Sequence, residues 1–400
     1  MIHKHDPVPK EEMGYVSPRD TICETLRQAY QDSKNENVKY LLRVATAKAK
    51  AMSRKLSEYN RNANLGLWRD NAKYRNRKKS IDVLFLCYDD NANTGFRFFQ
   101  CAKYLGLNAV MFKGKVHPFY SVQAPLHPSL SNTPISTSPI MVPAPGLESL
   151  VLSSHVVHLI ASTYPIMAVD WKKVNVVVQH GGTVYRQNPK ACNNAFNPMA
   201  KKTVIQCPDL LDLGAKDEEW IYYPVDINLF KHDFSMKDPY NIVVGHFPSN
   251  VDNKGTDRIE SAIKFAKNAG APIEYVGDTN RVSWRQNLKR MAQCDVIVEG
   301  CNASQQGKVY GEWGNTALEA SALGCGVITH SLSYKRYHKE FGDFAPLIAN
   351  DTDSLIKRLV GLDRKNVQEL KEKCYKWAVK KHSIPVTANR LWDRVYKDFF

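Results

Sequence analysis

Runs of consecutive apolar residues alternate with amphipathic stretches over most of the chain. The run IDVLFLCY begins at Ile81 and the run NAVMFKG begins at Asn108, and between them FRFFQCAKYLGL carries apolar residues at helical spacing. A continuous apolar run predicts a strand buried on both faces, as in a parallel sheet with helical crossovers. The pattern therefore predicts a β-α-β unit whose polar loop, 89–95, lies at the carboxyl end of the first strand.

The same alternation occurs twice before the chain ends in helices. Further strands are predicted at 156–161, 174–179, 203–206, 241–247, 273–277, 295–300 and 326–331, and helices at 256–269, 284–294 and 316–324. The last fifty residues are predicted to be helical. The predicted fold class is α/β, with two tandem Rossmann-like domains and a cleft between them. Residues 80–235, completed by 386–400, form the predicted first domain, and 236–385 form the second.

Residues 1–79 have a different pattern from the rest of the chain. Ser17-Pro18 is typical of a helix start, and apolar residues at helical spacing follow as far as Tyr59. Residues 60–79 are basic, with Trp68 and Tyr74 interleaved. We therefore predict an added basic N-terminal helical segment with a linker.

The net charge is concentrated in this extension. The chain carries 55 Lys and Arg against 40 Asp and Glu, a formal net charge of +15. Between Lys39 and Lys79 there are 13 Lys and Arg against only Glu58 and Asp70, a local excess of +11. Basic residues with interleaved aromatic rings suit phosphate contacts and base stacking, although a solvated helix face is the alternative. The candidate nucleic-acid contacts are Arg54, Lys55, Arg69, Arg75 and Arg77.

Composition excludes several classes of protein. With 43% hydrophobic and 24% charged residues, the 400-residue chain is typical of a globular protein rather than a disordered or fibrous one. No apolar run approaches the roughly 20 residues that span a bilayer, and MIHKHDPVPK lacks the apolar stretch of a signal peptide. Nine cysteines without C-x-x-C spacing favour a reduced cytosol over a disulfide or zinc framework.

A glycine-containing turn before a predicted helix is the strongest local signal. The segment GEWGNTALEASALG runs from Gly311 to Gly324. The free N–H groups and the dipole at a helix start attract anions. Glu319, within the helix, could accept hydrogen bonds from a vicinal diol such as ribose. An ordinary turn with a solvated glutamate is the alternative.

A second loop carries a lysine after a strand. The segment GHFPSNVDNKGT runs from Gly245 to Thr256. Lys254 could neutralise a diphosphate leaving group without a metal ion. The alternative is an ordinary surface lysine.

In this order and separation, the two segments resemble the donor-binding domain of the GT-B glycosyltransferases of the retaining family-4 type. The resemblance runs from Ile81 to the C-terminus and includes YYPVDINLF at 222–230. It implies a hexosyltransferase whose donor is a nucleotide-diphosphate sugar such as UDP-glucose, with no cofactor and no metal site. The anomeric C–O bond would break through an oxocarbenium-like state while charge grows on the leaving phosphate.

The resemblance also assigns roles to individual residues. Catalytic roles fall to His180, Lys254 and Glu312, with Lys254 on the donor phosphate. Donor-binding roles fall to Asn93, Thr94, Gly95, Gly314, Asn315, Thr316 and Glu319, the last as the ribose ligand. A strand-end histidine satisfied by the backbone is the alternative for His180.

The chain departs from the family pattern at one glutamate. The first glutamate of the family's E-x7-E pattern would fall at position 311, which is Gly311, and Glu312 follows one place later. Glu299 ends a predicted strand nearby and could take over a sugar contact or cap the next helix.

The basic segment suggests what receives the sugar. The leading hypothesis is transfer to a hydroxylated base in DNA, as virus-encoded base glucosyltransferases do, with the base flipped out of the duplex beside the proline-rich stretch 117–146. A basic helix could instead lie on acidic lipid, so a lipid-linked or polysaccharide acceptor is a second hypothesis. A third is a GT-B domain that binds nucleic acid without catalysis. We expect no stable membrane insertion and a cytoplasmic location, in a host cell if the protein is viral.

Overall fold

The computed structural model describes residues 81–88, 90–113, 140–141, 147–165, 169–280, 282–302, 304–305, 308–309 and 311–400. The predicted N-terminal extension lies outside the described residues, as do most of the stretch 117–146 and the candidate contacts Arg54, Lys55, Arg69, Arg75 and Arg77.

Short strands and helices alternate along the described chain. The strands are β1 (Ile81–Cys87), β2 (Ala109–Lys113), β3 (Ile140–Met141), β4 (Ser154–Ile160), β5 (Tyr164–Pro165), β6 (Val176–His180), β7 (Ala200–Ile205), β8 (Glu218–Trp220), β9 (Ile242–His246), β10 (Ile273–Gly277), β11 (Val296–Val298), β12 (Ser304–Gln305), β13 (Lys308–Val309), β14 (Gly326–Thr329) and β15 (Leu347–Ile348). The helices are α1 (Thr94–Tyr104), α2 (Leu147–Leu152), α3 (Gly182–Gln187), α4 (Pro189–Phe196), α5 (Val251–Lys254), α6 (Thr256–Asn268), α7 (Trp284–Met291), α8 (Asn315–Ala322), α9 (Tyr334–Phe341), α10 (Thr352–Val360), α11 (Arg364–Trp377) and α12 (Ile384–Leu391).

Two parallel sheets form the framework, which confirms the predicted α/β class. The first has six strands in the order β2-β1-β4-β6-β7-β8, and the second has five in the order β10-β9-β11-β14-β15. The central strands are almost wholly buried because helices cover both faces; in β1, for example, all residues except Asp82 are buried. Each order reverses direction next to the first strand of its sheet, and ligands bind parallel sheets at such switch points.

The chain crosses between the two sheets twice, and the crossings lie side by side. Val225 pairs with Ser383 as an isolated parallel bridge. The Val225 amide donates to the His382 carbonyl at 2.7 Å, and the Ile384 amide donates to the Val225 carbonyl at 3.2 Å. After the second crossing, α12 packs against α1 of the first sheet's layer, with Ile384 in the same buried cluster as Phe98.

An aromatic cluster surrounds these crossings. Tyr222 stacks on Trp313 with ring centroids 3.9 Å apart and donates through its hydroxyl to the Trp313 carbonyl at 3.1 Å. The Tyr337 hydroxyl bonds His382 Nε2 at 2.7 Å and accepts from Trp377 Nε1 at 2.8 Å. The cluster therefore joins both crossings to the loop that leads into α8.

A fully buried ion pair stabilises the second sheet. Lys371 on α11 donates to Asp295 Oδ1 at 3.0 Å, and both side chains are 0% exposed. The same carboxylate accepts from the amides of Val243 and Lys237, each at 3.0 Å. Asp295 therefore ties α11 to the start of β9 and to the segment before it. Among the described residues, no helix has the length and apolar character needed to cross a membrane.

Replacing Lys371 by methionine is expected to destabilise the fold, because Asp295 would stay buried without its cation. Loss of one partner of a buried pair costs about 3–5 kcal/mol, read as a lower midpoint of thermal unfolding. Lys376→Met on the same helix is the control, since it breaks only an exposed pair with Glu372 and should cost less than about 1 kcal/mol. Equal effects of the two substitutions would contradict this account.

Candidate functional site

A cleft lies at the carboxyl ends of β9, β10 and β11. It contains about 700 Å³ of empty space, counted out to its open mouth. Its walls come from the loops after β9 and β10, from α7, and from the start of α8. The polar lining residues used below are Lys254, Asp278, Trp284, Arg290, Glu299, Thr316 and Glu319. Three predicted site residues, Lys254, Thr316 and Glu319, thus share one cleft.

A glycine at a sharp turn places Lys254 at the cleft. Asn250 caps α5 by accepting from the Asn253 amide, and Gly255 separates α5 from α6 with φ +70°. A Cβ at Gly255 would lie 2.7 Å from the Cys301 carbonyl oxygen, so only glycine fits this turn. The short helix therefore ends with Lys254 pointing into the cleft and 23% of its side chain exposed.

Glu299 is the direct partner of Lys254. Its Oε1 accepts from Lys254 Nζ at 2.9 Å and from the Gly314 amide at 2.8 Å, and its Oε2 accepts from the Thr329 hydroxyl at 2.8 Å. Burial alone would raise the pKa of Glu299, but the Lys254 charge and the hydrogen bonds from Lys254 and Thr329 bring that pKa below its ordinary value. The site therefore holds an ionised carboxylate between its lysine and the first amide of α8.

Glu319 lies deeper and is paired across the two domains. Its Oε1 accepts from Trp284 Nε1 at 2.9 Å and forms an ion pair with Arg97 of α1. Glu319 is 3% exposed and Arg97 is 4% exposed. Burial raises the pKa of Glu319, while the Arg97 charge and the hydrogen bonds from Trp284 and Arg97 oppose that rise.

Polar groups at the start of α8 bind partners in both domains. The Gly314 amide is bound by Glu299. Asn315 accepts from Arg97 at 2.8 Å through Oδ1 and donates to the Ala92 carbonyl at 3.3 Å through Nδ2. Thr316 faces the cleft. Of the three predicted donor contacts here, Asn315 is thus engaged in joining the domains.

The predicted loop of the first domain is closed by its own aspartate. Asp90 accepts from the Gly95 amide at 2.6 Å and the Phe96 amide at 3.1 Å. Ala92 and Asn93, both at φ 56°, turn the chain back so that Asp90 reaches the start of α1. Burial raises the pKa of Asp90, and Lys113, at 4.0 Å, opposes that rise. Two of the first amides of α1 are therefore already occupied.

His180 is buried at the end of β6. Its ring is 0% exposed, stacks on Tyr185 with centroids 4.1 Å apart, and bonds the Ser162 hydroxyl through Nδ1 at 2.8 Å. Among the described residues, Nε2 has no hydrogen-bond partner. Burial lowers the pKa of His180 to about 3, so the imidazole is neutral at physiological pH. Its catalytic role stays a prediction.

Glu312 binds the loop before α9 and does not line the cleft. Its Oε1 accepts from the amides of Leu332 and Ser333 at 2.9 and 2.8 Å, directly before α9. Burial raises the pKa of Glu312 to about 7. A role at the sugar stays a prediction for this residue, whereas its contacts are those of a loop cap.

Three residues in or beside the cleft were not singled out from the sequence as site residues. Arg97 is a charged residue among the phenylalanines Phe96, Phe98 and Phe99 of α1, and a charge within such an apolar group is the signal that marks it. Arg290 pairs with Asp278 at 2.8 Å and donates to the Asn280 carbonyl at 3.0 Å, which fixes the loop after β10. Trp284 follows Ser283, which caps α7 in a capping box. The partners of these three residues, Glu319 for Arg97 and Trp284 and Asp278 for Arg290, cannot be identified from the local sequence.

The comparisons with known proteins bear on the fold. No protein-family model and no curated protein matches the sequence. The structure is similar to that of HepE of Anabaena in complex with UDP and glucose, with a TM-score of 0.52 at 13% identity over 79% of this chain and 100% of that one. It is also similar to sucrose-phosphate synthase of Thermosynechococcus elongatus, with a TM-score of 0.53 at 12% identity over 80% of this chain and 99% of the other. This chain therefore has the GT-B fold.

The described residues hold no group of three or more His, Cys, Asp or Glu side chains arranged to bind a metal ion. The polar groups in the cleft include one lysine, Lys254, and two buried carboxylates, Glu299 and Glu319, beside the start of α8. Such a set can bind an anionic group beside a diol, since the cation and amides attract the anion and a carboxylate accepts from hydroxyls.

Glu312→Gln is expected to alter how stability depends on pH. Because the folded-state pKa of about 7 lies above the ordinary value of 4.5, ionising this carboxyl costs stability as the pH rises from 4.5 through 7. Glutamine stays neutral and keeps an oxygen for the two amides. The variant should exceed the wild type by about 2–4 kcal/mol at pH 8 and by little at pH 5, measured by urea unfolding.

Glu369→Gln provides the matched control, because it removes one exposed carboxyl that pairs with the exposed Lys373. Its difference from the wild type should stay within about 0.5 kcal/mol at both pH values. If Glu312→Gln and wild type showed parallel pH profiles, the raised pKa of Glu312 would be refuted.

Proposed function

We propose that this protein is a glycosyltransferase that takes a sugar from a nucleotide-diphosphate sugar. The observation that carries the proposal is the meeting of Lys254, Thr316 and Glu319 in one cleft at the carboxyl ends of a parallel sheet. The GT-B fold supports it, as do the sequence segments around these residues. The Anabaena HepE structure in complex with UDP-glucose favours a UDP-hexose as the donor for this chain.

In the proposed donor complex, the diphosphate lies between Lys254 and the start of α8. The Lys254 ammonium and the helix end supply positive charge where negative charge grows as the anomeric C–O bond breaks. Glu319, at the far side of the cleft, accepts from the ribose hydroxyls. The nucleotide then spans the cleft from α7 to α5, with the sugar at its open end.

Glu299 has a defined part in this proposal. One oxygen of its carboxylate accepts from Lys254 Nζ at 2.9 Å and from the Gly314 amide at 2.8 Å, so the ammonium is held beside the start of α8 before a ligand arrives. A diphosphate that enters shares the lysine with Glu299, which stays bound to Thr329. Preorganised donors of this kind need no reorganisation as the leaving group departs. We propose that transfer retains the anomeric configuration, in line with the family-4 resemblance.

For the acceptor we propose a hydroxylated base in DNA. The support is the excess of +11 between Lys39 and Lys79, with Trp68 and Tyr74 among the arginines. Phosphate neutralisation and stacking are the interactions that such a composition offers to nucleic acid. Sugar transfer to a polysaccharide or a lipid-linked acceptor instead of DNA would be the result that favours the second hypothesis.

Lys254→Ala is expected to lower the turnover of the donor by about 100-fold, as removal of one group that stabilises transition-state charge does. The measurement is mass spectrometry of the nucleoside diphosphate released from each member of a panel of nucleotide sugars that includes UDP-glucose. Lys264→Ala on the neighbouring helix α6, an exposed residue, is the control and should match the wild type. Wild-type turnover in Lys254→Ala would contradict the proposed donor site, and no turnover of any donor by the wild type would refute the enzyme proposal.

Neutralising the basic segment is expected to weaken DNA binding and its salt dependence. The triple variant Arg69→Gln, Arg75→Gln, Arg77→Gln should reduce the slope of log K against log salt by about 3 if all three contact phosphate. Lys264→Gln, Lys365→Gln, Lys380→Gln removes the same charge from exposed positions of the second domain and should leave the slope unchanged. Duplexes with hydroxymethylated pyrimidines are the substrate. Equal slopes for both triple variants, or sugar transfer only to lipid or polysaccharide, would refute the DNA proposal.

A further inference from the structure

A buried arginine of the first domain reaches the edge of the cleft in the second. Arg97 lies on the first turn of α1 and is 4% exposed. Its Nη1 donates to Asn315 Oδ1 at 2.8 Å and to the Pro224 carbonyl at 3.1 Å, and its Nη2 pairs with Glu319 Oε1. One side chain therefore contacts the crossing between the domains, the start of α8 and a carboxylate of the cleft.

The two carboxylate oxygens of Glu319 differ in their contacts. Both donors found on it, Arg97 Nη2 and Trp284 Nε1, bind Oε1. A carboxylate oxygen offers about two acceptor positions, so Oε1 is fully used. The side chain nonetheless lines the cleft. Oε2 is therefore the oxygen that can accept from hydroxyls of a bound ligand.

The position of Arg97 is fixed by the way α1 packs on its sheet. Asp90 binds the first amides of α1. A Cβ at Gly95 would lie 3.0 Å from Ile160 Cγ2 and 3.1 Å from Asp90 Oδ1, so the helix start approaches the sheet as closely as glycine allows. The backbone of Arg97, two residues further on, is thereby fixed, and its side chain is held by the contacts with Pro224, Asn315 and Glu319.

We propose that Arg97 is the positioning residue for ribose recognition and that the preference of the cleft for ribose over a deoxygenated sugar depends on it. The inference rests on the proposed function, because it concerns the same nucleotide site. Arg97 touches no reacting atom. It holds the Glu319 carboxylate with Oε1 turned toward the first domain and Oε2 turned toward the ligand. Ribose recognition in the second domain therefore requires the first domain to be docked against it.

The test compares the affinity for UDP with that for 2′,3′-dideoxy-UDP, measured by calorimetry on the full chain. Two hydroxyls that donate to a charged acceptor give a preference of about 10- to 100-fold for UDP in the wild type. Arg97→Ala should reduce that preference to less than about 3-fold while the affinity for the dideoxy ligand stays within about twofold. Arg97→Lys keeps the charge but lacks the planar fork, so its preference should be intermediate.

Gln100→Ala is the matched control. Gln100 lies one turn further along α1 and bonds the first crossing between the domains, through Asp226 Oδ2 at 2.9 Å, but it does not contact Glu319. It should retain the wild-type preference for UDP. If Gln100→Ala loses the preference as Arg97→Ala does, general loosening of the interface explains the effect and the proposal falls.

The remaining outcomes separate this proposal from the proposed function. Equal loss of affinity for both ligands in Arg97→Ala would indicate a purely structural role and overturn the inference. If circular dichroism shows that Arg97→Ala does not fold, Arg97→Lys is used in its place. A preference of Arg97→Lys for UDP over the dideoxy ligand as large as that of the wild type overturns the inference. Wild-type protein that binds none of UDP, ADP or GDP refutes the proposed function itself, and the inference falls with it.

Discussion

Buried carboxylates, each of which needs compensating donors, organise this molecule. Removing a carboxylate from water costs several kcal/mol unless cations and N–H groups surround it, and breaking such a pair costs about as much. Asp295, Glu299 and Glu319 are each buried, and each is paired with a cation from another element, Lys371, Lys254 and Arg97 respectively. The three pairs join α11 to the start of β11, α5 to the end of β11, and the first domain to the second. The cleft therefore has walls whose relative positions are set by charge pairing as well as by apolar packing.

The aromatic cluster works together with these pairs. Trp313 directly precedes Gly314, whose amide is bound by Glu299, and the Trp313 ring is stacked on Tyr222 of the first crossing. The packing of one large ring thus determines where the first amide of α8 lies. Because His382 of the second crossing packs against the same ring, a change in either crossing is transmitted to the cleft through direct contact.

Much of the fold could be predicted because buried parallel strands are continuous apolar runs. The buried strands β1 and β9 coincide closely with the runs at 81–88 and 241–247. The edge strands β8 and β15 and the short helices α3, α4 and α9 were not predicted, since they have only two to eight residues and weak periodicity. In the site, Lys254 and Glu319 were expected to lie near each other, and both line one cleft. Each belongs to a loop-and-helix segment that can be identified from the local sequence. The pairing of Arg97 with Glu319 joins residues 222 positions apart, and no local pattern encodes it.

The side-by-side crossings at Val225 and Ser383 limit how the domains can move. Two separate tethers would permit bending, twisting and sliding, but here the tethers are hydrogen-bonded to each other through backbone groups at 2.7 and 3.2 Å. Two segments joined in this way can bend together as a hinge, but they resist twisting about their long axis. The easiest movement of one domain against the other is therefore a swing about these paired segments. Any ligand that bridges the two domains meets the opposing surface along one arc.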